Sequence, residues 1–363
     1  VVRIGEIGHC LKKKNVLVYR VGQLGDTLVA LPAIEAIVKR HQGCHLVLLT
    51  DRHSTVKGYV SSWDVLGPTG WFNEVIFYES RDLTLLERVK SILSLLMQLR
   101  SYRFSHIYNL AMRTTDQTVR RDRFFFESLV NGQSYLGMAA VAYPPPRELS
   151  GHLPRMKPEW QRLLDVVGTD DAEDFRLAVP LQAQKEVIRI RPELEQIGSQ
   201  RIIALGPGSK MSAKRWSKDR FNELGQRLLL FDNNLRIVIV GGAEDSSIGD
   251  YLCSALGNNA VNLAGRLSIY GSAALLKCCS LYIGNDTGTM HLAATVGLSC
   301  VSIFCARDYP GLWEPYGKGH VILRQEIGCS GCMLESCLDR GNDCLEAISV
   351  EEVFEAVRKR LIN

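Results

Sequence analysis

From residue 15 onward the chain alternates short apolar runs with longer stretches in which apolar residues recur every three or four positions. "NVLVYRVG" (15–22) reads as a strand, "DTLVALPAIEAIVKRH" (26–41) as a helix with Pro32 early in it, and "CHLVLLT" (44–50) as a strand again. In "DLTLLERVKSILSLLMQLRSY" (82–102), Leu85, Leu86, Val89, Ile92, Leu93, Leu96 and Leu99 fall on one face of a long helix, and "SHIYNL" (105–110) follows as a strand. Strand and helix in alternation predict a parallel sheet with helices on both faces.

A Pro-rich stretch, "YPPPRELSGHLPRMKPEW" (143–160), and a charged one with weak periodicity (168–200) interrupt the pattern, which places a boundary in 160–200. Beyond it the alternation restarts. Strands are expected at 201–208, 235–242, 281–284 and 300–304, and helices at 217–231, 268–279 and 288–297. Two Rossmann-like halves of similar size result. The expected domains are 1–175 and 176–348, with a final helix at 349–363 packing back toward the first. Ligands of such sheets bind beyond the carboxyl ends of the strands, so polar residues there carry the functional argument.

Composition narrows the class. The 363 residues are 46% hydrophobic and 23% charged, with a formal net charge of +4, too mild to imply nucleic acid. No run of 18 apolar residues exists and the start shows no signal-peptide core, which predicts a cytoplasmic protein. Of eleven cysteines, Cys10, Cys44, Cys253, Cys278, Cys279, Cys300 and Cys305 stand in apolar contexts and read as core or incidental thiols.

Four strand ends carry candidate chemistry. "RVGQLGDTLVALPA" (20–33) sets Gly22 and Gly25 around a turn and Asp26 at a helix N-cap, where a carboxylate is a cap or a base. Its spacing is not G-x-G-x-x-G, which counts against an NAD-dependent oxidoreductase. "LGPGSKMSAKRWSKDRF" (205–221) puts Gly208, Ser209 and Ser212 beside Lys210 and Lys214, a combination suited to phosphate. "VIVGGAEDSS" (238–247) offers Glu244 and Asp245 just past a strand, either for ribose hydroxyls or for a helix start. "GNDTGTMHLAA" (284–294) has Asp286 or Thr287 as cap, Gly288 for close approach, and His291 one turn in.

Taken in order, "GQLGDTLVALPAI", "KRWSKDRF", "GGAED", "NLAG" (262–265), "NDTGTMHLAA" and "LWEPYG" (312–317) resemble glycosyltransferase family 9, the heptosyltransferases of lipopolysaccharide core synthesis. The resemblance implies a GT-B fold, in which two Rossmann-like domains with parallel sheets face a central cleft. It also implies an inverting, metal-independent transfer from an ADP-sugar held by the C-terminal domain, typically ADP-L-glycero-β-D-manno-heptose, to a glycolipid acceptor at the inner membrane's cytoplasmic face, with peripheral membrane contact. By position, Asp26 matches the family's base, with Gly25 beside it. Ser209 and Lys214 match the donor-phosphate positions, Glu244 the ribose acid, and Asp286, Thr287, Gly288 and His291 the diphosphate and sugar motif. Thr289 stands where many relatives have proline, and Cys305 where glycine is common. A protein or secondary-metabolite acceptor, or a non-catalytic sugar-nucleotide binder, are the competing readings.

Two further clusters remain. "MRTTDQTVRRDRFF" (112–125) gathers Arg113, Arg120, Arg121 and Arg123, either as a site for an acidic acceptor, with Arg113 and Arg120 its candidates, or as a solvated helix face. "CSGCMLESCLDRGNDC" (329–344) spaces Cys329, Cys332, Cys337 and Cys344 as C-x2-C-x4-C-x6-C, which suits a structural zinc or iron site or a set of reduced thiols. Catalysis needs neither metal.

Overall fold

The computed structural model describes residues 14–52, 58–79, 84–142, 145–169, 175–192 and 201–362; Cys10 lies outside them. The first half runs β1 (Asn15–Tyr19), α1 (Leu24–Arg40), β2 (His45–Asp51), α2 (Ser62–Leu66), β3 (Glu74–Tyr78), α3 (Leu85–Tyr102), β4 (His106–Asn109), α4 (Asp116–Arg123), β5 (Tyr135–Gly137) and α5 (Glu159–Val167). The second runs α6 (Leu181–Ile190), β6 (Arg201–Gly206), α7 (Lys218–Phe231), β7 (Leu235–Ile239), α8 (Ser246–Leu256), β8 (Ala260–Asn262), α9 (Ile269–Lys277), β9 (Leu281–Asn285), α10 (Gly288–Thr295), β10 (Cys300–Phe304), β11 (Val321–Arg324), α11 (Asp343–Glu346) and α12 (Val350–Ile362).

The strands form two sheets, ordered β3-β2-β1-β4-β5 and β11-β10-β9-β6-β7-β8. Among the described residues every strand pairing is parallel, with Leu17 opposite Val47 and Ile107 in one sheet and Gly206 opposite Gly284 in the other. Strand order reverses direction beside β1 in the first sheet and between β9 and β6 in the second. A crevice opens at each such point, and the loops leaving β1, β6 and β9 carry three of the four motifs.

Alternation along each strand divides the cores. Val16, Val18, Leu46 and Leu48 face α1 and α5, whereas Leu17, Tyr19, Val47 and Leu49 face Leu99 of α3 and Phe126 of the π-helical turn 124–129. In the second sheet Ile203, Leu205, Ile237 and Ile283 pack with Trp216, Phe221 and the α12 valines Val350, Val353 and Val357. The apolar cluster on the other side is continuous through both halves, from Val16 and Leu28 to Ala204, Val238 and Met290.

Three expectations change. First, α12 packs on α7, β9 and β10 of the second half rather than back onto the first, because its buried valines complete that half's core. Second, α1 begins at Leu24, so Asp26 is its third residue, and its carboxylate accepts the Gln23 N–H at 2.9 Å instead of standing at the cap. Third, the apolar face of α3 is mostly outside. Leu99 is buried, but Leu85 is 81% exposed and Met97 69%, because the helix meets the sheet along Leu95 and Leu99 instead.

Trp216 binds the α7 entrance to the segment just ahead of α12. Its ring is fully buried, lies edge-on to Phe221 at 4.9 Å and donates from Nε1 to the Ile348 carbonyl at 3.1 Å. Trp216→Ala is expected to lower stability by about 3–5 kcal/mol, read as a fall in the urea midpoint with the slope unchanged.

Candidate functional site

The two switch points meet in one cleft of about 670 Å³, within the roughly 300–1,000 Å³ usual for small-molecule sites. Gly25, Asp26, Ser209, Lys214, Glu244, Asp286, Thr287, Gly288 and His291 all line it. Arg113 and Arg120 do not. The Arg113 guanidinium lies over the Tyr19 ring and donates to Asp122 at 2.5 Å and to the Tyr19 hydroxyl at 3.2 Å, while Arg120 is exposed on α4.

The floor is the junction of α1 with α10. A Cβ added to Gly25 would lie 3.3 Å from the His291 ring and 3.6 Å from Gly288 Cα, and one added to Gly288 would meet Leu24 at 3.0 Å. The N-termini of two helices, each a positive dipole end, thus face the same space. Gly22 sustains the turn before α1 at φ +124°, against the Asp26 side chain, where a side chain of its own would collide.

Lys214 and Asp286 form a largely buried ion pair at 2.6 Å. Burial acts to lower the Lys214 ammonium, and the facing carboxylate overrides it, so the net shift is upward and the lysine is held charged. His291 lies behind, 3% exposed, its pKa pushed down to about 4, chiefly by burial, and its Nδ1 has no hydrogen-bond partner. It is therefore a neutral imidazole near neutral pH, with a buried ring nitrogen left without a partner. Thr287 precedes α10 in extended conformation, leaving the first N–H groups of that helix open to the cleft.

The loop after β6 is braced from several sides. Asn285, fully buried, accepts the Trp216 N–H at 3.1 Å and donates to the Pro207 carbonyl at 2.8 Å. Arg215 donates to the Ser209 carbonyl at 2.7 Å. Lys210 reaches across the cleft to the Gln23 side chain and, at 3.0 Å, to the Gly58 carbonyl. After β7 the two acids part company: Asp245 is buried and accepts the Gly242 N–H at 3.0 Å, whereas Glu244 stays exposed on the cleft wall.

Several contributors are not singled out by the sequence. Arg307 and Asp308 line the cleft just past β10, and the strand-end rule would have flagged them. Behind Asp26, fully buried Arg20 donates to the Asp26 and Leu110 carbonyls. Burial lowers its pKa, against the raising influence of Asp26 and of Glu159, itself fully buried and paired to Arg162 at 2.6 Å.

Among the described residues the four-cysteine loop is not arranged as a metal centre, although its thiols lie near one another around Cys344. Cys344 feels Cys329, Cys332 and Cys337 electrostatically, yet its thiol is raised first by burial and its sulfur accepts the Ala306 N–H at 3.4 Å, while Cys332 points to solvent. Among the described residues no group of three or more His, Cys, Asp or Glu side chains is placed to hold a metal ion. The loop instead supports the cleft. Arg307 donates to the Leu334 and Met333 carbonyls at 2.6 Å each, and Ala213, beside Lys214, donates to the Glu335 carbonyl at 3.0 Å.

The family model glycosyltransferase family 9 (heptosyltransferase) matches residues 164–341. Lipooligosaccharide heptosyltransferase 2 of Campylobacter jejuni is 25% identical over 53% of this chain and 58% of its own length. The matched stretch spans about half the length of the first such relatives. Lipopolysaccharide heptosyltransferase 3 of Escherichia coli is 22% identical over 93% of this chain and 95% of its own. In fold, the chain superposes on a glycosyl transferase family 9 structure from Veillonella parvula with a TM-score of 0.70 over 97% of this chain and 98% of that one, at 18% identity. It also superposes on E. coli heptosyltransferase WaaC with ADP-2-deoxy-2-fluoro heptose, with a TM-score of 0.61 over 95% and 99%, at 15% identity. The architecture is GT-B, and over 164–341 the chain is similar to glycosyltransferase family 9 (heptosyltransferase).

Proposed function

We propose that the chain transfers a heptose from an ADP-activated donor to a lipopolysaccharide-core-type acceptor, with inversion and without a metal. One observation carries this reading: a carboxylate on one half, Asp26, shares a cleft with an open helix N-terminus, a charged lysine and a neutral histidine on the other. The E. coli relative crystallised with an ADP-heptose analogue supplies the donor class.

In this reading the diphosphate lies at the N-terminus of α10, where open N–H groups and the dipole favour an anion. Lys214 shifts part of its charge from Asp286 to the departing ADP. Glu244 takes the ribose hydroxyls, Ser209 a phosphate oxygen and His291 a sugar hydroxyl. Asp26 removes the acceptor hydroxyl proton as that oxygen attacks the anomeric carbon. The carbon–oxygen bond to the diphosphate breaks on the opposite face, and its electron pair leaves with ADP. The protein's own cation and dipole perform the charge stabilisation.

Asp26→Ala is expected to reduce kcat by roughly 10²–10⁴-fold with ADP affinity nearly unchanged. Turnover surviving within about tenfold would remove Asp26 as the base. Lys214→Ala leaves Asp286 without its partner, so both ADP affinity and kcat should fall, and stability with them by about 3–5 kcal/mol. Lys214→Ala combined with Asp286→Ala should recover stability but not turnover; recovery of both would make the pair purely structural. For His291 the folded pKa lies below the unfolded one, so the unfolded chain takes up its proton first, and the stability present above about pH 6.5 is lost as pH falls toward 4. Between pH 7.5 and 5, His291→Gln should lose about 2 kcal/mol less than wild type in denaturant titrations. An equal loss in both would show that His291 does not stay neutral.

A further inference from the structure

The loop that leaves β10 carries side chains for which the proposed transfer has no role. Arg307 is 7% exposed, lines the cleft and, among the described residues, forms no ion pair. Its Nε and Nη2 donate to the Leu334 and Met333 carbonyls at 2.6 Å each, which fixes the guanidinium plane and leaves Nη1 without a protein partner. It stands close enough to Lys214 to oppose that lysine's charge. A buried guanidinium with one edge open and no counter-ion calls for a ligand that supplies acceptors.

Asp308, the next residue, acts as a bracket. Its Oδ1 accepts the Tyr309 N–H at 2.7 Å and its Oδ2 the Trp313 Nε1–H at 3.2 Å. The half-buried Trp313 ring, held by its polar edge, also lines the cleft. The loop is pinned to the first half as well. The Tyr309 hydroxyl donates to the Ala142 carbonyl at 2.8 Å, and the Met156 and Glu159 N–H groups donate to the Pro310 and Leu312 carbonyls at 2.8 Å each. Gly311, at φ +94°, lies so near the Met156 carbonyl that a Cβ there would collide with it. Glu159 is the buried acid that faces Arg20, and Arg20 grips the Asp26 carbonyl. Loop and base thus share one support.

Sheet order tells what the loop faces. Along the carboxyl edge the neighbouring strands run β10, β9, β6, β7. Glu244 follows β7, Lys214 follows β6, and Asp286 and α10 follow β9. In the proposed function the ribose therefore lies over β7 and the diphosphate over β6 and β9. β10 stands three strand spacings from β7, roughly 14 Å, so a group over it lies beyond the diphosphate, where the transferred sugar is. A pyranose offers hydroxyls to the guanidinium edge and a C–H face to the indole. We propose that Arg307 and Trp313 form the subsite that reads the transferred sugar, Arg307 donating to its hydroxyls and Trp313 packing against its C–H face, with Asp308 positioning the indole. This subsite rests on the proposed ADP-sugar donor and supplies the residues that tell one such sugar from another.

The test measures affinity of the full chain for ADP, ADP-heptose, ADP-mannose and ADP-glucose by titration calorimetry, with circular dichroism of every variant. Wild type should bind one ADP-sugar more tightly than ADP. Arg307→Gln and Trp313→Ala should each bind that ADP-sugar about tenfold more weakly and keep wild-type affinity for ADP. Asp308→Ala should lose the same increment, whereas Asp308→Asn, which still accepts the indole N–H, should keep it. Equal loss for ADP and the ADP-sugar in Arg307→Gln would assign the guanidinium to the diphosphate and overturn the proposal. Unchanged preference among the three sugars in both the Arg307 and the Trp313 variants overturns it too, as does a wild type that binds ADP and gains nothing from any sugar. A wild type that binds neither ADP nor an ADP-sugar removes the proposed donor itself, and the subsite with it.

Discussion

The site depends on one unfavourable contact made tolerable: two helix N-termini converging on the same space. Each end of α1 and α10 carries roughly half a positive charge, and with no counter-charge they repel. Two carboxylates answer them. Asp26 sits in the first turn of α1, and Asp286 lies just ahead of α10, tied to Lys214. Two glycines, Gly25 and Gly288, let the backbones come this close.

The layer behind the site is similarly balanced. Arg20 is buried beneath the α1 turn, with Glu159 and Arg162 near it, and its Nε and one Glu159 oxygen have no hydrogen-bond partner. Such a network is weak evidence of stability, since each buried charge costs solvation that its partners only partly return. Its effect here is positional: Arg20 grips the Asp26 carbonyl while its charge faces the carboxylate side.

Much of this was legible in the sequence. The βαβ alternation gives both sheets because buried parallel strands are apolar throughout, and the glycine-bearing strand ends give the cleft because parallel sheets put every loop of one kind on one edge. The nine catalytic and donor-side candidates from Gly25 to His291 line the cleft, whereas the acceptor candidates Arg113 and Arg120 do not. What periodicity cannot convey is which side of an amphipathic helix meets the sheet, so α3 reads as core and is surface. Nor do isolated polar residues such as Arg20, Asn285 and Arg307 announce partners 90, 78 or 27 positions away.

The apolar cluster that runs without a break from β1 through α1 and α10 to β7 has a consequence for folding. The two halves share hydrophobic area, so neither is an autonomous cooperative unit, and melting either one exposes the surface of the other. Occupancy of the cleft is then thermodynamically linked to the whole chain. A nucleotide bound at the α1–α10 junction adds its binding free energy to the global unfolding equilibrium rather than to one domain's share of it.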